Sequence, residues 1–398
     1  MKKIFNPILI LFLATILIWS CSDDNENGPT PQPIIEQEDV AVIDNKIEQF
    51  MEKWEYPGAT LAISKNGKLV YSKAYGLADV EANQPMKTDN RMRIASISKT
   101  FTGVAILRLV QDGKLDLDDK VFGAGGILAN DFGTSPLPAR VQQVTVRHLL
   151  HMTTGGWVLA NDRDAIDSNP GLDNKAFFDW MLNNTLLKHD PGTRYWYVNT
   201  NYFVAARVIE KVSGKSYLQF MKDDFLNPLG INSAILARRS LQERHPNEVK
   251  YYGIGNIKGF EYGFNIERRD GDAGMVVSAN DLLKFVLSIN GRPDRQQILD
   301  GPIFGEFIKG SGPSPLSNTF GLGVVRRANG ILFSGALPGT RTGFQTNNDT
   351  GLAVALLFNG CVDYNNAALW NSFNQEFFAL LNSLASENVN VYLNIDQF

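Results

Sequence analysis

The chain has 398 residues, 44% of them hydrophobic and 20% charged, with a formal net charge of −4. That is enough chain for one large domain or two small ones with a substantial buried core, and the composition is that of an ordinary globular protein. The slight acidic excess and the lack of any basic run give no sign of nucleic-acid binding, so no nucleic-acid partner is expected.

Lys2 and Lys3 precede an apolar run from Pro7 to Trp19, followed by Ser20-Cys21. A bilayer span needs roughly 20 apolar residues, so this run fits a secretory leader over residues 1–20 rather than a transmembrane helix. A cysteine directly behind Ile18-Trp19-Ser20 resembles a bacterial lipoprotein cleavage box. The resemblance implies cleavage before Cys21 and a lipid anchor on its thiol; a plain signal peptide with an incidental cysteine is the alternative. Residues 21–38, with SDDNENGPTPQP at their start, are acidic and rich in Pro and Asn, and read as a flexible tether. Ser22-Asp23-Asp24 resembles the acidic tract of surface-exported lipoproteins of Bacteroidota. That implies the outer membrane of a Gram-negative cell envelope, on its periplasmic or its surface side. Cys361 is then alone, so the mature protein has no intramolecular disulfide.

Ile43 to Trp54 carries apolar residues at helical spacing. ATLAISKNGKLVYSKAYG follows as two strand-like runs joined at Asn66-Gly67, the strongest short hairpin signal. The stretch from Arg91 to Asp281 holds several helical patterns. SISKTFTGVAILRLVQDG is apolar nearly all round and stops at Asp112-Gly113. TVRHLLHM starts at Thr145, NTNYFVAARVIEKVSG stops at Gly214, and Ser278-Ala279-Asn280-Asp281 opens a further helix like a capping box. GILFSG, TGFQTN and LAVALLFNG then read as antiparallel strands before a helix from about Ala367 to Leu384. Strands at both ends and helices between predict an α/β fold: one antiparallel sheet built from distant segments and flanked by helices. A mainly helical lobe, about 91–275, is inserted into a domain spanning 39–385, with a tail over 386–398.

A serine hydroxyl needs a group that removes its proton before it attacks. No G-x-S-x-G elbow is present. His148 and His151 lie one turn apart and read as a packed or surface pair; no histidine sits in a metal-ligand pattern. Ser96 and Lys99 offer another route, as the single S-x-x-K of the chain. Residues at i and i+3 share a helix face, burial disfavours an ammonium, and a helix start leaves N–H groups free for an oxyanion. The plain alternative is a capped helix with a solvated lysine.

The string RMRIASISKTFTGVAILRLVQDGKLDLDDKV resembles the nucleophile region of the serine β-lactamase and penicillin-binding superfamily. The likeness is greatest to its class C β-lactamase, D-alanyl-D-alanine carboxypeptidase and esterase branch, and runs from about Ile43 to Leu384. VTVRHLLHMTTGG, PGTRYWYVNTNYFVAARVIEKVSGKSY, DAGMVVSANDLLKF and FGLGV look like further motifs of that branch. The resemblance implies the β-lactamase/transpeptidase-like fold. It makes Tyr197 of Tyr197-Val198-Asn199 a proton shuttle, and Asn199 a ligand of the substrate amide and the lysine. Y-x-N also occurs at Tyr364 and Tyr392, but only Tyr197 follows a Pro191-Gly192-Thr193 turn and precedes a helix.

The superfamily's strand triad, Lys-Thr-Gly or His-x-Gly, falls on Phe333-Ser334-Gly335. Gly335 is small enough for the strand to approach substrate, and the resemblance makes the N–H of Ala336 the second oxyanion donor. Phe333 departs from the pattern, because it cannot hold a substrate carboxylate; Arg341 on the next strand is expected to supply that charge. The reading is a serine hydrolase with a covalent acyl-enzyme on Ser96, with Lys99 and Tyr197 moving protons. It acts on ester or amide substrates, D-amino-acid peptides among them, as a monomer and without metal or organic cofactor. A true class C-like β-lactamase and a non-catalytic binding or sensor protein are the alternatives.

Overall fold

Asn66 and Gly67 take φ of 48° and 78°, the left-handed pair that a two-residue hairpin loop demands. They join β1 (Gly58–Lys65) to β2 (Lys68–Asp79). The computed structural model describes residues 41–386 together with Asp396 and Phe398. The leader, Cys21, the tether and the rest of the C-terminal tail lie outside the described residues.

After β3 (Gln84–Pro85) the chain leaves the main sheet. It contributes β4 (Met92–Arg93), β5 (Ile235–Leu236), β6 (Tyr252–Gly253) and β7 (Met275–Val277) elsewhere. It returns as β8 (Val325–Arg327), β9 (Gly330–Leu337), β10 (Thr340–Asn347) and β11 (Leu352–Phe358), and ends its strands with β12 (Gly360–Cys361). The main sheet has the order β3-β2-β1-β11-β10-β9-β8, antiparallel throughout. β4, β7 and β5 form a small second sheet, and β6 pairs in parallel with β12. The two ends of the described chain meet where β1 lies beside β11, Leu61 opposite Leu356.

The helices are α1 (Ala41–Trp54), α2 (Ser98–Gln111), α3 (Val146–Leu150), α4 (Asn174–Asn184), α5 (Thr200–Ser213), α6 (Tyr217–Met221), α7 (Ala279–Leu287), α8 (Gly301–Ile308) and α9 (Ala367–Ser386). Both central strands are buried on two faces, and period-two alternation divides each of them between two layers. Leu61, Ile63, Val354, Leu356 and Phe358 pack against Ile43, Ile47 and Phe50 of α1 and Phe373, Phe377 and Leu381 of α9. Ala62, Ala353, Ala355 and Leu357 look the other way, into the core that holds Leu282, Leu283 and Val286 of α7. This is the α/β architecture expected: a large antiparallel sheet flanked by helices.

Two local devices position the site. α2 is buried almost all round, with Phe101 stacked on Phe285 at 3.7 Å. At Gly103 it has no room for a side chain, since a Cβ would lie 1.9 Å from the Leu322 carbonyl oxygen; FGLGV therefore runs directly over α2. His148 closes a capping box with Thr145 at the start of α3, its Nδ1 accepting from the Thr145 N–H at 3.2 Å. Ser278 caps α7 by accepting from Asp281 N, whereas the Asp281 carboxylate turns to Ser233 N. Only half of the expected box forms there.

Candidate active site

Ser96 sits on a strained turn. Ala95 before it has φ +47°, a sparsely populated conformation for a residue with a Cβ. Residues Ala95–Ile97 make a 3-10 turn and the α-helix begins only at Ser98. Ser96, expected to open the helix, therefore stands one short turn ahead of its actual start, because Ile97 N bonds back to Ile94 O rather than one residue further. Lys99 falls in the first turn of α2, fully buried, with Nζ 3.1 Å from Ser96 Oγ. Burial pushes its ammonium from 10.5 down to about 7, while the nearby Asp272 carboxylate pulls the other way.

Tyr197 approaches from the opposite side, its hydroxyl 3.1 Å from the same Ser96 Oγ and its ring centroid 5.1 Å from Lys99 Nζ. The loop that bears it is hung on VTVRHLLHMTTGG by backbone bonds: Gly192 N to Thr153 O, Trp196 N to Met152 O, Lys188 N to Gly155 O. Tyr197 is 40% exposed, so the site opens to solvent here. Loss of hydration around the hydroxyl raises its phenol above the ordinary value, which the bond to Ser96 only partly offsets.

The third wall is β9. β8 pairs with it only from Gly330 to Leu332, so the edge beyond is open. A Cβ on Gly335 would lie 2.8 Å from the Ser96 nitrogen and 2.3 Å from Ile94 O, which only glycine tolerates. The Gly335 carbonyl is turned toward β10, with Arg341 Nη1 at 3.4 Å and Thr342 Oγ1 at 3.5 Å. Successive residues of a strand direct their backbone groups to opposite sides, so the N–H of Ala336 is directed to the open edge, beside Ser96. Ser96, Lys99, Tyr197, Gly335 and Ala336 are thus brought together from α2, the loop before α5 and β9.

The family model described as Beta-lactamase matches residues 43–373. The chain belongs to that family. It is 32% identical to penicillin-binding protein 4* of Bacillus subtilis (strain 168) over 216 residues, 53% of this chain and 44% of that relative. The chain thus spans less than half the length of this curated relative. Among solved structures it resembles an octameric penicillin-binding protein homologue from Pyrococcus abyssi, with a TM-score of 0.64 and 26% identity over 81% of this chain and 73% of that one. EstCE1, a hydrolase with promiscuous acyltransferase activity, has the same fold, with a TM-score of 0.67 and 19% identity over 85% of this chain and 97% of that one. The family match and the penicillin-binding relatives agree with the superfamily to which the sequence motifs pointed.

The expectation for Arg341 is corrected. Arg341 stands opposite Ala336 across the β9–β10 pair, on the face turned away from Ser96. Its guanidinium lies 4.1 Å from the Phe377 ring centroid, among Trp370, Phe373 and Phe378, and donates to Asn374 Oδ1 at 2.8 Å. Alternation is the reason: Thr340 and Thr342 on either side bond Arg93 O and Ile94 O on the nucleophile side, so Arg341 must point to α9. Ser334 faces the same way, 3.5 Å from Arg341 Nη1.

Phe333 is turned to the site side and packs edge-on against Phe320 at 5.8 Å. Phe320 in turn meets Tyr197 at 6.3 Å. This aromatic wall was hidden in FGLGV, whose first residue is Phe320. Asn199 is half-buried and starts α5 without capping it by its own side chain. Asp164, from a distant 3-10 turn, accepts from Asn199 N and from the Thr200 hydroxyl instead. Burial pushes its carboxyl up to about 6 against the Thr200 bond. Asp164 was missed from the sequence, where an aspartate in a loop carries no sign that it is buried; Asp272 opens the quoted motif DAGMVVSANDLLKF but was given no role there.

Proposed function

We propose that this protein is a serine hydrolase acting through an acyl-enzyme on Ser96. The observation that carries the reading is that Ser96 Oγ lies 3.1 Å from both Lys99 Nζ and Tyr197 OH. An amine titrating near 7 is a competent base at neutral pH. A phenol held above its ordinary value stays protonated and suits the return of a proton. Lys99 takes the Ser96 proton as Oγ attacks the substrate carbonyl carbon. The N–H groups of Ser96 and Ala336 bind the oxyanion. Tyr197 passes a proton to the departing alcohol or amine, drawing on Lys99, and water then hydrolyses the acyl-enzyme by the reverse relay.

The substrates are esters or amides whose recognised end carries no carboxylate. Phe333 presents a ring where a cation would be needed, and Arg341 is buried on the other face of the sheet. β-Lactams and peptides ending in D-alanine carry that carboxylate, so both are poorer substrates on this reading. D-amino-acid amides and neutral esters remain. A lipid anchor on Cys21, holding a monomeric enzyme at the outer membrane, completes the proposal.

The test is covalent labelling of the purified protein by a fluorophosphonate probe, with Ser96→Ala beside it. Labelling of the parent at Ser96 alone, with turnover of p-nitrophenyl esters exceeding that of nitrocefin and D-Ala-D-Ala peptides, is the expected result. An intact Ser96 that no acylating probe modifies overturns the reading and leaves a non-catalytic binding protein.

A further inference from the structure

Lys99 is enclosed by polar and charged groups from three segments besides its own helix. Tyr197 and Tyr202 face it from the α5 side, with Tyr202 at 6.0 Å from ring centroid to Nζ. Asp164 and Asp167 approach from the 3-10 turn over Ala165–Asp167. Arg269 and Asp272 come from the segment just before β7. Of these, only Asp272 touches Lys99 with both backbone and side chain. Its carbonyl oxygen lies 3.0 Å from Nζ and its Oδ2 3.9 Å, and both side chains are wholly buried.

The segment that presents Asp272 is fixed on every side. Arg268 donates to Ser168 O at 2.6 Å, Asn169 O at 2.7 Å and Leu172 O at 2.8 Å. Asp270 is paired with Arg207. Arg269 grips Asp272 Oδ2 through Nε at 3.0 Å and Nη2 at 2.6 Å, and reaches Asp167 Oδ1 at 3.2 Å. Asp272 Oδ2 thus lies between two cations, Arg269 and Lys99. Its Oδ1 is buried and has no hydrogen-bond partner among the described residues.

A carboxylate kept only for packing would have both oxygens bonded, since burying an unpaired acceptor is costly. Arg269, for its part, already has Asp167. The Asp272 charge is therefore shared: it balances the Arg269 guanidinium at 2.6 Å and stands 3.9 Å from the Lys99 ammonium, the one cation of the two that also touches Ser96. We infer that Asp272, clamped by Arg269, is a positioning residue that holds Lys99 against Ser96 and sets how readily Lys99 accepts the Ser96 proton. The inference rests on the acyl-enzyme reading above. In the step concerned, the Ser96 O–H bond breaks and an N–H bond forms on Lys99, and the new charge is balanced by Asp272.

Two variants must act in opposite directions. Asp272→Asn removes the anion that favours the ammonium, so Lys99 loses its proton at lower pH. Arg269→Gln frees the Asp272 charge to act on Lys99 alone, so Lys99 holds its proton to higher pH. The measurement is the rate of fluorophosphonate labelling at Ser96 across roughly pH 5 to 9, with kcat/KM for a p-nitrophenyl ester in parallel. The half-maximal pH of the acid limb should fall by about one unit in Asp272→Asn and rise by a similar amount in Arg269→Gln, a tenfold change in proton binding each. Limbs that coincide with the parent, or that move in the same direction, overturn the inference. If Asp272→Asn does not fold, Arg269→Gln decides alone: an alkaline shift supports it and no shift overturns it. A parent protein that is never labelled at Ser96 fails earlier, and the hydrolase reading falls with it.

Discussion

Gly335 and Ser96 touch through their backbones: a methyl group added at Gly335 would stand 2.8 Å from the Ser96 nitrogen. Neither side has slack, because Ser96 follows the strained Ala95 and Gly335 lies in the β9–β10 ladder. Gly335→Ala is therefore expected to push β9 away and to spoil the pocket between the N–H groups of Ser96 and Ala336. Removing one oxyanion donor costs about 10²–10³ in rate. A loss of about that size in ester turnover, with a near-native circular dichroism spectrum, is the expected outcome. Unchanged turnover would show that the two N–H groups do not bind the oxyanion together.

The acid limb of the reaction follows from Lys99. Its ammonium is held at about 7 by burial, so the amine is neutral above that pH and protonated below it. Turnover should rise with pH through about 7 and level off above. A limb near 4 or 5, typical of a carboxylate, would point to a different base.

Lys99 also weighs on stability. Its folded value lies below its unfolded one, so it takes up a proton on unfolding at neutral pH. The cost is full below about 7 and fades as pH rises through 10.5. Lys99→Met should therefore raise the melting temperature at pH 7 by about 2–5 °C while turnover falls by at least about 10³-fold. Calorimetry beside a turnover assay checks both signs, and a less stable Lys99→Met would contradict the buried-charge account.

Much of this architecture was legible before any coordinates. Asn66-Gly67 announced its hairpin, because few residues tolerate two positive φ angles in a row. The apolar runs at both ends announced the strands of one sheet, since β1 and β11 are buried on both faces; β11 has no polar residue and β1 only Thr60, Ser64 and Lys65. Ser96 and Lys99 stood out because a serine nucleophile and its base need those residue types one helical turn apart; Tyr197 came from the resemblance to the superfamily's second motif. What stayed hidden was direction and burial. Arg341 reads as a site cation until the β9–β10 register puts it on the α9 face. Asp164 looks like an ordinary loop aspartate until distant segments close over it, and nothing in DAGMVVSANDLLKF shows that its first residue, Asp272, meets Lys99. Both depend on which residues meet across long separations, which local pattern does not encode.

Phe333 tests the substrate reading. It lies on the site face of β9, 7% exposed and edge-on to Phe320, so a lysine there would emerge at the open edge. Phe333→Lys is expected to raise the ratio of kcat/KM for a carboxylate-bearing ester over its neutral counterpart by about tenfold, the worth of one new charged contact of about 1.4 kcal/mol. An unchanged ratio would mean that substrate does not pass beside Phe333.

Arg341 provides the complementary control. Its guanidinium has no carboxylate within ion-pair distance among the described residues, and burial pushes it down to about 10. It rests on Phe377 and donates to Asn374 and to the Gly335 carbonyl. Arg341→Met keeps the packing volume and removes the charge. Replacing a buried charge by an apolar chain of similar size is often close to neutral for stability, so the melting temperature should move by less than about 3 °C. The same change frees the Gly335 carbonyl from one donor and loosens the peptide that ends in the Ala336 N–H. Turnover of neutral and carboxylate-bearing esters should therefore fall together, about three- to tenfold, with their ratio unchanged. A selective loss of the carboxylate-bearing ester would place Arg341 in the substrate pocket after all, against the register of the sheet.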